Sequence, residues 1–237
     1  MFMDRKRWME MGMAVLLLCG VYWLSGEGAR LASETLGKKE TVIVIDPGHG
    51  GRDPGKIGVN QAEEKTLNLE IAGKVRDRLE EAGITVVMTR EEDQGLYDEE
   101  ARNKQVQDLQ RRCELIHDTA PVCAVSIHQN SYTDSSVRGP QVFYYKSSGQ
   151  GKQLAESIQA SMKAAVDPDS TREAKPDVSY YMLRKTDVPL VIVECGFLSN
   201  PEEAELLGQE QYQDTLAEAV AAGVESYLED QPVSLSF

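Results

Sequence analysis

Residues 42–55 read VIVIDPGHGGRDPG: four branched apolar residues, then a crowded turn of glycines, prolines and aspartates around one of the chain's three histidines. An unbroken β-branched run suits a strand covered by helices on both faces. Its abrupt end places His49 at the strand's carboxyl edge, the edge along which open α/β sheets bind ligands. Gly48, Gly50 and Gly51 let the backbone fold tightly enough to aim the ring, while Asp46 and Pro47 fix the approach. A ligand role for His49 therefore outweighs that of a plain turn residue.

Three further runs repeat the pattern: ITVVMT at 84–89, VCAVSI at 122–127 and PLVIVE at 189–194, with GPQVFYYK at 139–146 as another strand. Helical patterns alternate with them. Leu67, Ile71, Val75 and Leu79 recur every fourth residue before Gly83, and Val106, Leu109, Cys113 and Ile116 repeat the idea over 101–118. Residues 151–165, 199–207 (capped by Asn200, with Pro201 in the first turn) and 210–228 complete the set. Strands alternating with helices predict an α/β fold: a single domain with a largely parallel twisted sheet and helices on both faces. The polar, two-proline segment 167–179 reads as a surface loop.

The chain has 237 residues, 41% apolar and 27% charged, enough for one sizeable core. A formal net charge of −14 argues against nucleic acid or an anionic membrane surface as the main partner. Arg5, Lys6 and Arg7 precede the apolar stretch Met11–Leu24, the layout of a secretory signal or short membrane anchor. Residues 1–40 are thus expected to be leader and linker, 41–237 the catalytic domain, and the protein to be exported. Of Cys19, Cys113, Cys123 and Cys195, none falls in a CxxC or His/Cys cluster, so zinc-knuckle and disulfide frameworks are not indicated. They read as small core residues, although export would allow Cys113 and Cys123 to pair.

His128 directly follows AVSI, and Glu194 ends PLVIV, so both share the sheet edge reached by His49. Glu64, at the first turn of the next helix, is placed to reach back to it. Alone, His128 would read as a satisfied core histidine; with His49 beside it, ligation explains both. Two imidazoles and a carboxylate, with a fourth position for water, form a catalytic zinc set. A second carboxylate can take the water proton. Glu64 and Glu194 supply one carboxylate for each task, and Glu194 is costly to bury without one. His117, near a helix end, reads as structural.

DPGHGGRDPG at 46–55, EEKTLNLEIA at 63–72, TR at 89–90, SIHQN at 126–130 and VECGFLSNPEEAELL at 193–207 together resemble the zinc-dependent N-acetylmuramoyl-L-alanine amidases of the type 3 class. The likeness runs from about Thr41 to Leu228. It implies a single zinc held by His49, Glu64 and His128, with Glu64 rather than Glu63 selected by its place before Lys65, and Glu194 as the catalytic carboxylate. The implied reaction cuts the amide between N-acetylmuramic acid and L-alanine. Peptidoglycan, a glycan strand with its stem peptide, is then the partner, with an activating protein as a further one. The short leader, the lack of wall-binding repeats and the wording of GPQVFYYK and VECGFLSN are most like the amidase that spore-forming bacteria use on cortex peptidoglycan. Gln129 departs from the family's usual alanine, and either touches substrate, narrows the cleft or lowers intrinsic activity. Arg90, Asn130 and Ser199 are candidates for the cleft wall, with Ser199 and Asn200 also suited to a helix cap.

Other classes compete. GGRDPGK at 50–56 matches part of a phosphate-binding loop, but Ile57 lacks the hydroxyl that would hold magnesium and Pro54 removes an amide donor. A zinc peptidase acting within the stem peptide, and a non-catalytic wall-binding protein that retains zinc, would use the same ligands.

Overall fold

Branched apolar residues from 42 to 45 form the start of β1 (Val42–Pro47), which pairs in parallel with β2 (Thr85–Met88) on one side and β3 (Cys123–Asn130) on the other. The computed structural model describes residues 41–231, so the basic and apolar leader and Cys19 lie outside the described residues. β3 pairs in parallel with β6 (Leu190–Phe197), which pairs antiparallel with β4 (Gln141–Tyr145). A parallel edge strand, β5 (Lys175–Asp177), completes the order β2-β1-β3-β6-β4-β5.

Successive side chains of a strand face opposite sides of the sheet, so each central strand feeds two cores. Ile43, Ile45, Val125, Ile127, Val191 and Val193 join one apolar cluster. It is covered by α1 (Glu64–Glu81), α3 (Gly149–Val166) and α6 (Glu210–Glu229). Their intervening neighbours Val44, Ala124 and Ile192 join a second cluster under α2 (Lys104–Thr119) and the short α4 (Tyr181–Lys185). The expected stripe Leu67, Ile71, Val75 and Leu79 is buried throughout. Asn200 caps α5 (Pro201–Leu207) by accepting from the N–H groups of Glu202 and Glu203, both at 3.0 Å.

The fold is the three-layer α/β architecture expected, with several local departures. β3 and β6 run on to Asn130 and Phe197, because the two strands keep pairing beyond their apolar runs, His128 with Glu194 and Asn130 with Phe197. The segment read as a surface loop contains β5; Pro176 is tolerated there because β5 is an edge strand with one unpaired side. Val106 is exposed, so the buried stripe of α2 begins later, with Ile116 fully enclosed. Cys113 and Cys123 are both free thiols. They pack in the clusters on opposite faces of the sheet, which rules out their pairing. Among the described residues no helix is long and apolar enough to cross a membrane.

At the end of β1 the apolar core gives way to a buried ion pair. Asp46 is fully enclosed and accepts hydrogen bonds from Thr89 Oγ1 at 2.6 Å, from Ser126 Oγ, and from Arg112 Nη1 at 2.7 Å. Arg112, from α2, is itself 1% exposed and donates through Nε to Asp108 at 2.6 Å. Burial opposes ionisation of Asp46, but Arg112 and the two hydroxyl donors outweigh it and hold the carboxyl below its ordinary range. Removing one partner of a buried pair strands the other charge. Asp46→Asn is therefore expected to destabilise the fold by about 3 kcal/mol in denaturant unfolding. Because Asp46 ionises below its ordinary value of 3.8, the folded chain binds fewer protons than the unfolded one. Its contribution is complete above that value and lost as pH falls beneath it. Below pH about 4 the variant should thus lose stability less steeply than the parent, as acid titration of the unfolding midpoint would show.

Candidate metal centre

The turn after β1 is assembled by two buried arginines acting on its carbonyl groups. Arg112 donates to the carbonyls of Pro47 at 2.7 Å and His49 at 2.6 Å. Arg90 donates to Pro47 and Gly48, each at 3.0 Å, and to Lys65 at 2.8 Å. Arg90 is 2% exposed, so it braces the turn from beneath and is not part of the cleft wall. With its carbonyl held, His49 adopts φ 63°, a left-handed conformation that a non-glycine residue occupies only when its surroundings enforce it.

Close approach makes the neighbouring glycines obligatory. A Cβ on Gly48 would lie 2.1 Å from Cε1 of His128, so Gly48 serves to admit that imidazole, while Gly50 and Gly51 turn the chain at positive φ. Gly55, at φ 69°, has no room for a Cβ either, which would meet Glu64 Oε2 at 2.5 Å and His49 Cδ2 at 2.8 Å.

His49, Glu64 and His128 converge. Glu64 Oε1 lies 3.2 Å from His49 Nε2 and 3.0 Å from His128 Nδ1, and the two rings meet edge to face at 5.0 Å between centroids. One donor atom from each lies within 4.8 Å of the others. The second nitrogen of His49, Nδ1, is 2.8 Å from Asp53 Oδ2, an outer carboxylate of the kind that orients metal-ligating histidines. Glu64 Oε2 accepts from the Lys56 N–H at 2.8 Å, and Oε1 from the Gln129 N–H at 3.2 Å. Glu63, by contrast, is exposed at the helix N-cap, so burial separates two acids that residue type alone does not. Burial opposes charge on Glu64, yet His128 and His49 hold it far below the usual carboxylate range. Burial likewise opposes a charged His49, but Asp53 and Glu64 raise it to about 9.

The donor set is two imidazoles and a carboxylate, one imidazole already oriented through its far nitrogen, all at one spot. That combination suits a tetrahedral ion with an open fourth position. Glu194 lies opposite His128 in the β3–β6 register and lines the same cleft of about 330 Å³. Burial raises its carboxyl, Glu64 adds to the rise, and His128 opposes it. Asn130 lines the cleft as expected. Ser199 instead accepts from the Tyr132 N–H at 3.0 Å, leaving the capping to Asn200. His117 is exposed in the last turn of α2. Gln129 is 2% exposed and donates to Asn68 Oδ1 at 3.3 Å. Asn68 in turn donates to Gly48 O at 3.1 Å and Glu64 Oε1 at 3.4 Å, so Gln129 supports Glu64 through Asn68 while also lining the cleft.

Asp53, Asn68 and Tyr180 also belong to the site and are not singled out by the sequence reading. Asp53 lies four residues after His49 in the same glycine-rich turn, the one signal that points to it. Asn68 follows Glu64 by one helical turn. Tyr180 has no such signal, since it closes a polar segment without periodicity.

Residues 43–226 match the family described as N-acetylmuramoyl-L-alanine amidase. The germination-specific N-acetylmuramoyl-L-alanine amidase of Bacillus subtilis (strain 168) is 36% identical over 193 residues, 80% of this chain and 81% of that protein. The solved CwlD amidase from Clostridioides difficile, in complex with the GerS lipoprotein, superposes with a TM-score of 0.79 at 39% identity. The match covers 81% of this chain and 100% of that one. An N-acetylmuramoyl-L-alanine amidase from Clostridium difficile 630 gives a TM-score of 0.73 at 30% identity, over 82% and 100% of the two chains. Sequence and fold agree over the same residues that carry the His49–Glu64–His128 cluster, and the chain belongs to the N-acetylmuramoyl-L-alanine amidase family.

Proposed function

We propose that this chain is a zinc-dependent amidase that hydrolyses the amide between N-acetylmuramic acid and L-alanine in peptidoglycan, with spore cortex as its substrate. The observation that carries the reading is the convergence of His49, Glu64 and His128 beside the buried Glu194. His49, Glu64 and His128 would hold the zinc ion. Bound there, it would polarise the scissile carbonyl and ease deprotonation of the attacking water.

The remaining work falls to side chains. Glu194 takes a proton from the attacking water as the carbon–oxygen bond forms, then returns it to the L-alanine nitrogen as the carbon–nitrogen bond breaks. A carboxyl raised by burial suits both halves of that transfer, because it gives up its proton less readily than an exposed acid and can deliver it to the amine. Asp53 fixes the ring of His49, and Asn68 with Gln129 supports Glu64 from behind.

The cortex assignment is supported by the germination-specific relative. A partner protein is supported by the complex in which the related CwlD amidase was solved with a lipoprotein. The basic and apolar leader within residues 1–40 supports export, with 41–237 as the catalytic domain acting on the far side of the membrane.

Zinc-loaded protein incubated with defined peptidoglycan should release new L-alanine amino termini, and a chelator should abolish the release. Termini at any other bond would overturn the substrate and leave the metal site standing. Glu194→Gln is expected to keep zinc and lose turnover by about 10²- to 10⁴-fold, the usual worth of a general base. His128→Ala should instead lose zinc, which metal analysis after gel filtration would show independently of activity.

A further inference from the structure

Glu194 has one carboxylate oxygen engaged and the other free. Oε1 lies 3.1 Å from the hydroxyl of Tyr180. Oε2 is buried with no hydrogen-bond partner among the described residues. Buried acceptors are almost always satisfied, and leaving one bare costs about 1–3 kcal/mol, more if it is charged. Such an atom is retained where it faces something the folded chain does not itself supply. Tyr180 lines the same cleft as His49, Glu64, His128 and Glu194.

The hydroxyl is delivered from the edge of the sheet, independently of the three clustered residues. Asp177, the last residue of β5, pairs with Tyr145 of β4. Its Oδ1 accepts from the N–H groups of Ser179 at 2.6 Å and Tyr180 at 2.8 Å, which fixes the turn into α4. The ring of Tyr180 rests 5.5 Å from that of Phe143 on β4. Ring packing and the Asp177 turn therefore set where the hydroxyl points. Towards an ionised carboxylate a phenol can only donate.

We propose that Tyr180 is a positioning residue for the hydrolysis: by donating to Oε1 it locks the Glu194 carboxylate so that Oε2 faces the reacting atoms. The terminal torsion of a glutamate is broad, and proton transfer requires the accepting oxygen within about 2.6–3.2 Å of the proton's carrier. A hydrogen bond to the other oxygen restricts that freedom. The proposal rests on Glu194 as the general base, and its test is chosen to separate the two.

Tyr180→Phe deletes only the hydroxyl and keeps the ring on Phe143. In the full zinc-loaded chain acting on a defined peptidoglycan fragment, kcat should fall about ten- to a hundredfold, the worth of one hydrogen bond to a charged group. KM should stay within about twofold, because substrate binding is not what the hydroxyl supplies. Zinc content should match the parent, and the protein should stay folded at the assay temperature, its melting temperature lowered only by the several degrees or so that one bare acceptor costs. Unchanged kcat would overturn the proposal, and so would lost turnover accompanied by lost zinc or by unfolding at the assay temperature, which marks the hydroxyl as structural. Glu194→Gln, assayed alongside, keeps the readings apart. If it is inactive while Tyr180→Phe is fully active, only the role of Tyr180 falls; if it is fully active, the assignment of Glu194 itself falls.

Discussion

Two buried guanidinium groups holding the carbonyls of a three-residue turn are the constraint on which the site depends. The chain leaves β1 through Pro47, Gly48 and His49, and Arg90 and Arg112 between them take up every one of those carbonyl oxygens. Arg112 is anchored by Asp46, the last buried charge of the strand itself. The grip holds His49 in a left-handed conformation, and Gly48 leaves the space beside it that the His128 ring fills. Strain at one residue is thereby offset by charge-assisted hydrogen bonds at its neighbours.

The electrostatics follow from that geometry. A buried carboxylate is stable only with positive charge close by, and a proton held on His49 is one way to supply it. The depressed Glu64 and the raised His49 express this. A divalent cation answers the same need more completely, since it satisfies all three donors at once. Glu194 is compensated less fully, since burial and Glu64 together outweigh the help of His128, Tyr180 and His49, which is the environment expected of a group that must accept and release a proton.

Much of this was legible in the sequence because sheet geometry is periodic. A β-branched run announces a covered strand, and whatever polar residue ends it must stand at the ligand-binding edge, which is how His49, His128 and Glu194 declare themselves. What could not be read depends on contacts distant in the chain. Glu63 and Glu64 are the same residue type, and only the packing of α1 buries one of them. Arg90 follows an apolar run as His49 and His128 do, but its length lets it reach beneath the turn instead of into the cleft. Tyr180 is placed by an edge strand whose residues, Lys175, Pro176 and Asp177, carry no apolar alternation, because such a strand contributes hydrogen bonds and almost no core. The possible pairing of Cys113 with Cys123 failed for a related reason: strand and helix put the two thiols on opposite faces of one sheet.

The proposed function rests on one ion that His49 of the β1 turn, Glu64 of α1 and His128 of β3 would hold jointly. Anomalous diffraction at the zinc edge, from crystals of the zinc-loaded protein, tests that most directly. The account predicts one strong peak per chain, about 2.0–2.2 Å from a nitrogen of His49, an oxygen of Glu64 and a nitrogen of His128. No peak there, or a peak held by other residues, would contradict it.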